Sequence, residues 1–304
     1  MNKLSIIIPA KNEEKGLGKL SVLKDLYPEA EIIVVNDGST DRTKEIAEPW
    51  AKVIDHPYSK GNGASIKTGA RAATGDILVF MDGDGQHQPE DVGKLLAKMA
   101  EGYDLVVGAR SRSSQASKGR WLANTFYNKF SSWMVDREIR DLTSGFRIVR
   151  ANFFKEILHL LPNGFSYPTT STMAFFRYGY SVCYVDINVK DRIGKSHINL
   201  LKDGVRFLLI IFKVGTLYSP LKLFTPISFT FFLTGFLYYV FTYFTVGRFT
   251  NMSALLLSTS VLIFLMGLIS EQVTTLMFMS KGGRIESDVA EPQEESRNTS
   301  GINS

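Results

Sequence analysis

The chain has almost no cysteine, and it lacks three other signals that would assign it to a class. Its single cysteine, Cys183, excludes an intramolecular disulfide and is expected to be a small buried apolar side chain in a strand. A strand pattern follows Met1–Leu4 where a signal peptide would need a long apolar run, so we expect none. No helix carries a continuous basic stripe and no aromatic–basic repeat occurs, so nucleic acid is not an expected partner.

Composition allows one large hydrophobic core or two smaller ones. The 304 residues are 44% hydrophobic and 21% charged, and apolar residues dominate beyond about Ser219. The net charge of +5 and the isoelectric point near 9.1 form a modest basic excess. Such an excess suits phosphate-bearing substrates or anionic lipid.

The first 110 residues alternate apolar runs with segments of helical periodicity. This alternation predicts a parallel sheet with right-handed crossovers, an architecture that binds nucleotides by analogy. The first strand-to-helix turn has no G-x-G-x-x-G, which argues against a dinucleotide-binding Rossmann domain. Ser39 or Thr40 is expected to cap the helix that runs through Ile46. The predicted strands are Leu4–Ile8, Ile32–Val35, Val53–Asp55, Ile77–Met81 and Leu105–Gly108.

The segment Ile77–Pro89 places two carboxylates at the end of a predicted strand. Asp82 and Asp84 follow the apolar run, and a helix with apolar residues at helical spacing begins after Pro89. Ligands of open α/β sheets bind at the carboxyl ends of strands, and Mg²⁺ or Mn²⁺ prefers carboxylate and phosphate oxygens. The alternative is an Asx-rich turn after a core strand. His87 is interpreted as a turn or cap residue rather than a ligand.

Beyond Arg110 the pattern is less regular. Residues 111–118 are polar and predict a loop, and a strand is expected at Val182–Val189. Helices are expected at about Trp121–Val135 and Ala151–Leu161.

Two apolar segments predict a membrane hairpin. Ile227–Val246 has about 20 residues without a charge, and Met252–Met279 contains one carboxylate, Glu271, which is expected to pair within the hairpin or lie at the headgroup level. Segment 198–217 is expected to be an amphipathic helix on the inner leaflet or a buried core helix. Basic residues flank the outer ends of the two spans, which predicts a cytoplasmic domain and cytoplasmic termini; these residues are Lys213, Lys222, Lys281 and Arg284.

These patterns predict four regions. They are a cytoplasmic catalytic domain at 1–197, a juxtamembrane amphipathic segment at 198–225, two transmembrane helices at 226–280 and a disordered tail at 281–304.

Seven motifs in order carry a family resemblance over about Met1–Ser196. They are SIIIPAKNE, VVNDGSTD, KGNGASIKTG, FMDGDGQH, GAR, DLTSGFR and RIGKS. Together they resemble the family-two GT-A glycosyltransferases, in the branch of dolichyl-phosphate mannose synthase and bacterial polyprenyl-phosphate glycosyltransferases. The resemblance implies a GT-A α/β domain with a mostly parallel sheet, which transfers one hexose from a UDP- or GDP-linked sugar to a polyprenyl phosphate.

The resemblance implies donor-binding and metal-binding roles for the residues of the first four motifs. Contacts to the nucleotide sugar are expected from Pro9, Ala10, Glu13, Asp37, Lys60 and Asp82. Asp37 is expected to accept from a base N–H or a ribose hydroxyl. Asp82, Asp84 and Gln86 are the expected ligands of Mg²⁺ or Mn²⁺, with Asp84 also counted as catalytic.

The remaining motifs imply a cationic clamp for the acceptor phosphate. A polyprenyl phosphate is mostly a dianion at neutral pH, so the reaction needs positioning rather than a general base. Arg112 and Arg137 are expected to be solvated surface residues. The expected clamp residues are Arg110, Arg120, Asn124, Arg147, Arg192 and Lys195, of which Arg110 and Arg192 are counted as catalytic.

The chain departs from many relatives at Gly164–Thr172, where a hydroxyl-rich strip replaces an acidic residue. The strip is a candidate for hydrogen bonds to the sugar or for helix capping. One alternative function is a membrane-bound polysaccharide or glycolipid synthase of the same fold, although Gln115 lies too far from Arg120-Trp121 for the Gln-x-x-Arg-Trp motif. Another is a catalytically inactive membrane scaffold that binds nucleotide sugars. Homo-oligomerisation is left open.

Overall fold

The computed structural model describes residues 3–110, 118–164, 166–189, 212–213 and 215–289, with residues 118–124 and 279–289 described by their backbone. The chain divides into two compact units, Met1–Val214 and Gly215–Ser304. The first contains the sheet and its flanking helices. The second contains two long apolar helices.

A seven-stranded, mostly parallel sheet forms the centre of the first unit, as the alternation of apolar runs predicts. Its spatial order is β3-β2-β1-β4-β6-β5-β7, and β6 is the antiparallel strand, paired with β4 and β5. The four residues of β6 are not predicted from the sequence. The strands are β1 Leu4–Ala10, β2 Glu31–Asn36, β3 Lys52–Asp55, β4 Ile77–Phe80, β5 Leu105–Arg110, β6 Arg147–Arg150 and β7 Val182–Ile187.

Helices connect most of these strands and cover both faces of the sheet. The segment after β1 forms two short helices that are separated by a 3₁₀ helix at Gly18–Val22. The helix at Tyr167–Arg177 was not predicted, because its first turns are rich in proline and hydroxyl side chains. The helices that the structure describes before β7 are α1 Glu14–Leu17, α2 Leu23–Leu26, α3 Thr43–Ala47, α4 Asn62–Ala72, α5 Asp91–Ala100, α6 Lys118–Val135, α7 Ala151–Ile157 and α8 Tyr167–Arg177.

The capping prediction for α3 is wrong. Asp41 Oδ1, rather than a hydroxyl of Ser39 or Thr40, accepts from the Thr43 amide at 3.0 Å. The Ser39 hydroxyl instead accepts from the Asn12 amide, so it joins the first strand-to-helix turn to the second.

The hydrophobic core lies on both faces of the central strands. All four residues of β4 are buried, and so are six of the seven residues of β1. Burial on both faces explains why these strands read as continuous apolar runs rather than as alternating ones. Val92, Leu95 and Met99 of α5 pack on the sheet, whereas Cys183 is only half-buried beside this core.

The second unit is a helical hairpin formed by α9, Pro220–Val246, and α10, Asn251–Val289. Pro220–Val246 and Asn251–Phe278 are each long and apolar enough to cross a membrane, judged by length and composition. Both helices exceed the predicted limits, since α9 begins inside the segment expected to be amphipathic and α10 runs into the segment expected to be disordered. Residues 198–211 and 290–304 of those predictions lie outside the described residues.

Small and polar side chains hold the hairpin together. The hydroxyls of Ser228 and Ser260 donate to each other's backbone carbonyls at 2.9 and 3.0 Å. A Cβ atom on Gly235 would lie 2.9 Å from Leu256, so the two helices approach closely there. Glu271 Oε2 accepts from the Leu221 amide at 3.3 Å in the first turn of α9, which confirms that Glu271 pairs within the hairpin.

Candidate functional site

A cleft of about 450 Å³ opens where β1, β2 and β4 end. Six of its lining residues were predicted from the sequence: Pro9, Ala10, Glu13, Asp37, Asp82 and Asp84. Gly61, next to the predicted Lys60, also lines the cleft, as the resemblance implied for this loop. The other lining residues were not predicted, although they belong to or adjoin the same motifs. These are Lys11, Ser59, Asn62, Ser65 and Gly83.

Asp37 organises one wall of this cleft through four hydrogen bonds. Its Oδ1 accepts from the Lys60 amide at 2.8 Å and lies 2.7 Å from His56 Nδ1. Its Oδ2 accepts from the Ser59 hydroxyl and the Gly61 amide. Burial alone would raise the pKa of Asp37, but these four bonds lower it to about 2.

The saturated carboxylate changes the expected role of Asp37. A carboxylate offers about four lone-pair sites, and protein groups occupy all of them. Asp37 therefore holds the loop 59–61 in place, whereas the sequence predicted direct contact with the base or ribose. Lys60 does lie beside Asp37, and its Nζ stands 5.8 Å from the centre of the Tyr58 ring.

A backbone contact fixes the start of α4 next to this loop. The amides of Gly63 and Ala64 donate to Gly164 O at 3.1 Å and Asn163 O at 2.8 Å. A Cβ atom on Gly63 would lie 2.0 Å from Pro162 O, so only glycine permits the approach. These two amides of the first helical turn are thus used inside the protein.

The turn Asp82-Gly83-Asp84 is held from two sides by glycines. A Cβ atom on Gly16 would lie 2.5 Å from the Asp84 carbonyl carbon, so α1 packs directly on the backbone of the turn. A Cβ atom on Gly145 would lie 2.5 Å from Asp82 Oδ2, so the Asp82 carboxylate lies against the backbone of the DLTSGFR motif. Both glycines fix where the two carboxylates stand.

Positive groups favour the ionised form of Asp82. Burial would raise its pKa, but contact with His87 and the charges of Arg147 and Arg110 hold that pKa below the ordinary value. The backbone N–H of Gln86 donates to Asp84 Oδ1 at 3.1 Å, so the chain after the turn folds back onto the second carboxylate.

The donor set of this turn fits a hard divalent cation. Among the described residues no three His, Cys, Asp or Glu side chains meet at one point, so the protein offers no closed cage of the zinc type. Two carboxylates at the cleft, with the amide oxygen of Gln86 in the same segment, suit an ion that takes its other oxygens from phosphate and water.

Arg110 lies at the end of β5, where an acceptor clamp was expected. Its Nε and Nη2 donate to the two oxygens of Asp141 at 2.8 and 3.0 Å, and Nη2 also donates to Thr143 Oγ1 at 2.6 Å. Burial would lower the pKa of Arg110, but Asp141 raises it, so the guanidinium stays charged. The described residues provide no partner for Nη1, and the side chain remains about 31% exposed.

Arg147 does not occupy the position that the sequence predicted. Its guanidinium is fully buried and donates to Pro168 O at 2.9 Å, Ser171 Oγ at 2.8 Å and Thr172 Oγ1 at 3.1 Å. It also donates twice to Ser144 O, through Nε and Nη2. Arg147 thus joins β6 to α8, and burial prevents it from reaching a lipid phosphate.

The hydroxyl-rich strip is likewise used inside the fold. Thr169, Thr170, Ser171 and Thr172 are buried in α8, which contradicts an open strip of sugar-binding hydroxyls. Ser171 and Thr172 accept from Arg147, while Thr169 Oγ1 accepts from Tyr127 at 3.2 Å. Burial raises the pKa of that phenol to about 12.

Four predicted clamp residues lie outside what the structure describes. Arg192 and Lys195 are not among the described residues, and the same holds for the side chains of Arg120 and Asn124 and for Arg112. Arg137 is exposed, as expected.

His87 lies in the bend after the carboxylate turn, as expected, but its burial is not predicted from the sequence. Its ring is 7% exposed and stacks on Phe146, with 5.0 Å between ring centres and 20° between planes. Its Nε2 lies 3.7 Å from Asp82 Oδ2. No local signal distinguishes this histidine from a turn residue, because its neighbours come from a motif about 60 residues away.

Two family models match the chain. Residues 5–158 match "Glycosyl transferase family 2", and residues 219–276 match "GtrB C-terminal hairpin". The first match ends one residue after α7, and the second covers α9 and most of α10.

Two named relatives each match about half of the chain. The chain is 32% identical over 170 residues to undecaprenyl-phosphate 4-deoxy-4-formamido-L-arabinose transferase of Proteus mirabilis, a match that covers 52% of each chain. It is 35% identical over 182 residues to dolichol-phosphate mannosyltransferase of Pyrococcus furiosus, which covers 54% of this chain and 50% of that one. The matched region thus spans about half of each of these two proteins.

A solved structure with the same fold is glucosyl-3-phosphoglycerate synthase from Mycobacterium tuberculosis, in complex with Mn²⁺, UDP-glucose and phosphoglyceric acid. The TM-score is 0.57 at 22% identity, over 70% of this chain and 79% of that one. A similarity at this level of identity shows a shared fold.

Proposed function

The chain belongs to glycosyl transferase family 2, and from that membership we propose that it moves one hexose from a nucleotide sugar to a polyprenyl phosphate. The proposed reaction uses a divalent cation, Mg²⁺ or Mn²⁺, at the cytoplasmic face of a membrane. The enzyme class follows from the family. The donor, the cation and the membrane face are the proposal.

The cleft at the ends of β1, β2 and β4 is the observation that carries this proposal. It joins the two carboxylates Asp82 and Asp84 to a wall organised by Asp37, so one cavity offers a metal site beside a polar recess for a nucleotide. Arg110 at the end of β5 is close enough for its charge to lower the pKa of Asp82. A phosphate held by Arg110 would therefore approach the donor from the β5 side of the cleft.

The residues present can perform an inverting transfer without a general base. The acceptor phosphate is mostly a dianion at neutral pH, so its oxygen can attack the anomeric carbon directly. The sugar C–O bond to the diphosphate breaks as the new C–O bond forms, and the nucleoside diphosphate leaves with the electron pair. When bound at Asp82 and Asp84, with Gln86 as third ligand, the cation would neutralise charge on the leaving diphosphate.

Arg110 would orient the attacking phosphate. Asp141 holds two of its nitrogen atoms, which fixes the plane of the guanidinium before the acceptor arrives. The partly exposed edge of the Arg110 guanidinium can then donate to phosphate oxygens, because the spacing of guanidinium N–H groups matches that of phosphate oxygens. Arg192 and Lys195 are proposed as further clamp groups on the basis of the RIGKS motif.

The relatives and the hairpin favour a lipid acceptor. The Proteus and Pyrococcus proteins are named as transferases that use undecaprenyl phosphate and dolichol phosphate, and residues 219–276 match a hairpin model. Basic residues flank the outer ends of the two helices, at Lys213 and Lys222 and at Lys281 and Arg284, which supports a cytoplasmic catalytic unit.

The test is a transfer assay with membranes that contain the full chain. Membranes are incubated with polyprenyl phosphate and a panel of radiolabelled UDP- and GDP-sugars, and label is counted in the organic phase. One donor should give label that depends on added Mg²⁺ or Mn²⁺. Asp84→Ala should lower the rate by about 100-fold or more, because the leaving diphosphate loses its cation.

Asp25→Ala is the matched control, because Asp25 is an exposed aspartate on α2. It should transfer sugar at the wild-type rate. Label that stays in the aqueous phase with every donor would refute the lipid acceptor. Turnover near wild type in Asp84→Ala would refute the metal site.

A further inference from the structure

His87 is a buried polar group that the proposed reaction does not yet use. The His87 residue is only 7% exposed, yet its Nδ1 has no hydrogen-bond partner among the described residues. A buried polar atom without a partner costs about 1–3 kcal/mol, so a phenylalanine would be the more stable residue on packing grounds alone. Because packing alone does not explain a histidine at this position, we looked for a functional role of the imidazole.

The polar neighbour of His87 is a proposed metal ligand. Its Nε2 lies 3.7 Å from Asp82 Oδ2, a distance at which the two groups attract each other without a full hydrogen bond. The ring cannot turn away easily, because one of its faces stacks on Phe146 at 5.0 Å. The stacked imidazole is thus held beside the carboxylate, with Nε2 at 3.7 Å from Oδ2.

The same short segment controls both partners. Gly145 lies against the Asp82 carboxylate, where an added Cβ atom would stand 2.5 Å from Oδ2. Phe146, the next residue, supports the His87 ring. These two consecutive residues, directly before β6, therefore set the distance between Asp82 and His87.

We propose that His87 is a positioning residue that orients the Asp82 carboxylate for a divalent cation, with Gly145-Phe146 as the support for both side chains. The Nε2–H group of His87 attracts one carboxylate oxygen, Oδ2, across 3.7 Å and so favours the orientation in which the other oxygen faces the cleft. This inference rests on the proposed function, since it needs Asp82 to be a metal ligand. It assigns His87 no contact with the sugar or the acceptor.

The test compares Mn²⁺ binding in full-chain variants in detergent. Free Mn²⁺ is measured by its electron paramagnetic resonance signal during titration, with UDP or GDP present at a fixed concentration. His87→Phe keeps the stacked ring and removes the N–H group. Its Mn²⁺ affinity should fall about 10-fold or more, the usual cost of losing a group that orients a metal ligand, while its Tm stays at or above that of the wild type.

Two further variants separate orientation from packing. His87→Gln restores an N–H donor of similar reach, so it should recover part of the lost Mn²⁺ affinity. His159→Phe makes the same chemical change at an exposed histidine beyond α7 and should leave Mn²⁺ binding unchanged. Nucleotide binding in EDTA should be equal in all variants, because the proposed role acts through the cation.

The outcomes distinguish this inference from the function on which it rests. If the wild type binds no Mn²⁺ with either nucleotide, the metal site itself is wrong. If the wild type binds Mn²⁺ and His87→Phe binds it equally well, the positioning role is refuted. A lower Tm in His87→Phe together with unchanged Mn²⁺ affinity at a temperature where the variant is folded would assign His87 to packing alone.

Discussion

Replacing Arg147 by methionine tests the difference between a phosphate clamp and a buried support. The side chain is fully buried, and its guanidinium donates to Ser144 O, Pro168 O and two hydroxyls of α8. Methionine has a similar reach and no donor. The variant therefore removes these hydrogen bonds while it fills much of the same volume.

The magnitude follows from the acceptors that lose a donor. Ser144 O loses both of the donors that the described residues give it, whereas Pro168 O keeps the Ser171 hydroxyl at 3.1 Å. Buried acceptors without a partner cost about 1–3 kcal/mol each, so we expect a loss of about 3 kcal/mol in the free energy of unfolding. For a unit of this size that corresponds to a fall in Tm of about 6–12 °C.

The assay is thermal unfolding of the full chain in detergent at one scan rate, because unfolding of a membrane protein is often irreversible. Arg137→Met is the matched control, since Arg137 is exposed and its removal should change stability by less than about 0.5 kcal/mol. The acceptor KM of the folded Arg147→Met enzyme should be unchanged. A Tm within about 2 °C of wild type combined with a raised acceptor KM would refute the buried support and restore the clamp.

Two further predictions concern the cleft. The pKa of Asp37 is lowered to about 2, so its stabilisation of about 2 kcal/mol is complete above its ordinary pKa near 4 and is lost as pH falls from 4 to 2. Asp37→Asn should therefore lower Tm at pH 6 and flatten the loss of Tm between pH 4 and pH 2; an unchanged acid slope would contradict this. Gly145→Ala places a Cβ atom 2.5 Å from Asp82 Oδ2, so Mn²⁺ affinity in the resonance titration should fall about 10-fold or more. Gly164→Ala, whose Cβ atom would meet nothing within 4 Å, should bind Mn²⁺ normally, and equal binding by both alanine variants would show that the approach of Gly145 to Asp82 is unimportant.

Much of the fold follows from local patterns. Strands β1, β2, β4 and β5 are apolar runs of four to seven residues because both of their faces are buried, and such runs are visible without any structure. The apolar helices α9 and α10 are equally visible, since their length and composition set them apart from the rest of the chain.

The elements that were missed depend on partners distant in sequence. Strand β6 has two apolar residues between two arginines, and it is a strand because it pairs with β4 and β5. The hydroxyl-rich start of α8 resembles a loop in the sequence. It is a buried helix because Arg147 and Tyr127 satisfy its hydroxyl groups.

The site shows the same division. The motif around Asp82 and Asp84 could be found because two carboxylates directly after a buried strand form a local pattern. His87 could not be assigned, because its burial and its stacking partner come from Phe146. The saturated hydrogen bonding of Asp37 also escaped prediction, since three of its donors lie in the loop 59–61.

The sequence by itself determined the apolar strands of the first 110 residues, the carboxylate turn at the end of β4 and the two apolar helices, because each depends on residues that are neighbours in the chain. Only the tertiary structure decided what the arginines do. Arg110 ends strand β5 and Arg147 begins strand β6, and the two look equivalent in the sequence, yet Arg110 keeps an exposed edge beside Asp141 and Arg147 is enclosed by α8. The physical reason is that charge belongs to the residue type, whereas burial and hydrogen-bond partners depend on segments brought together by folding.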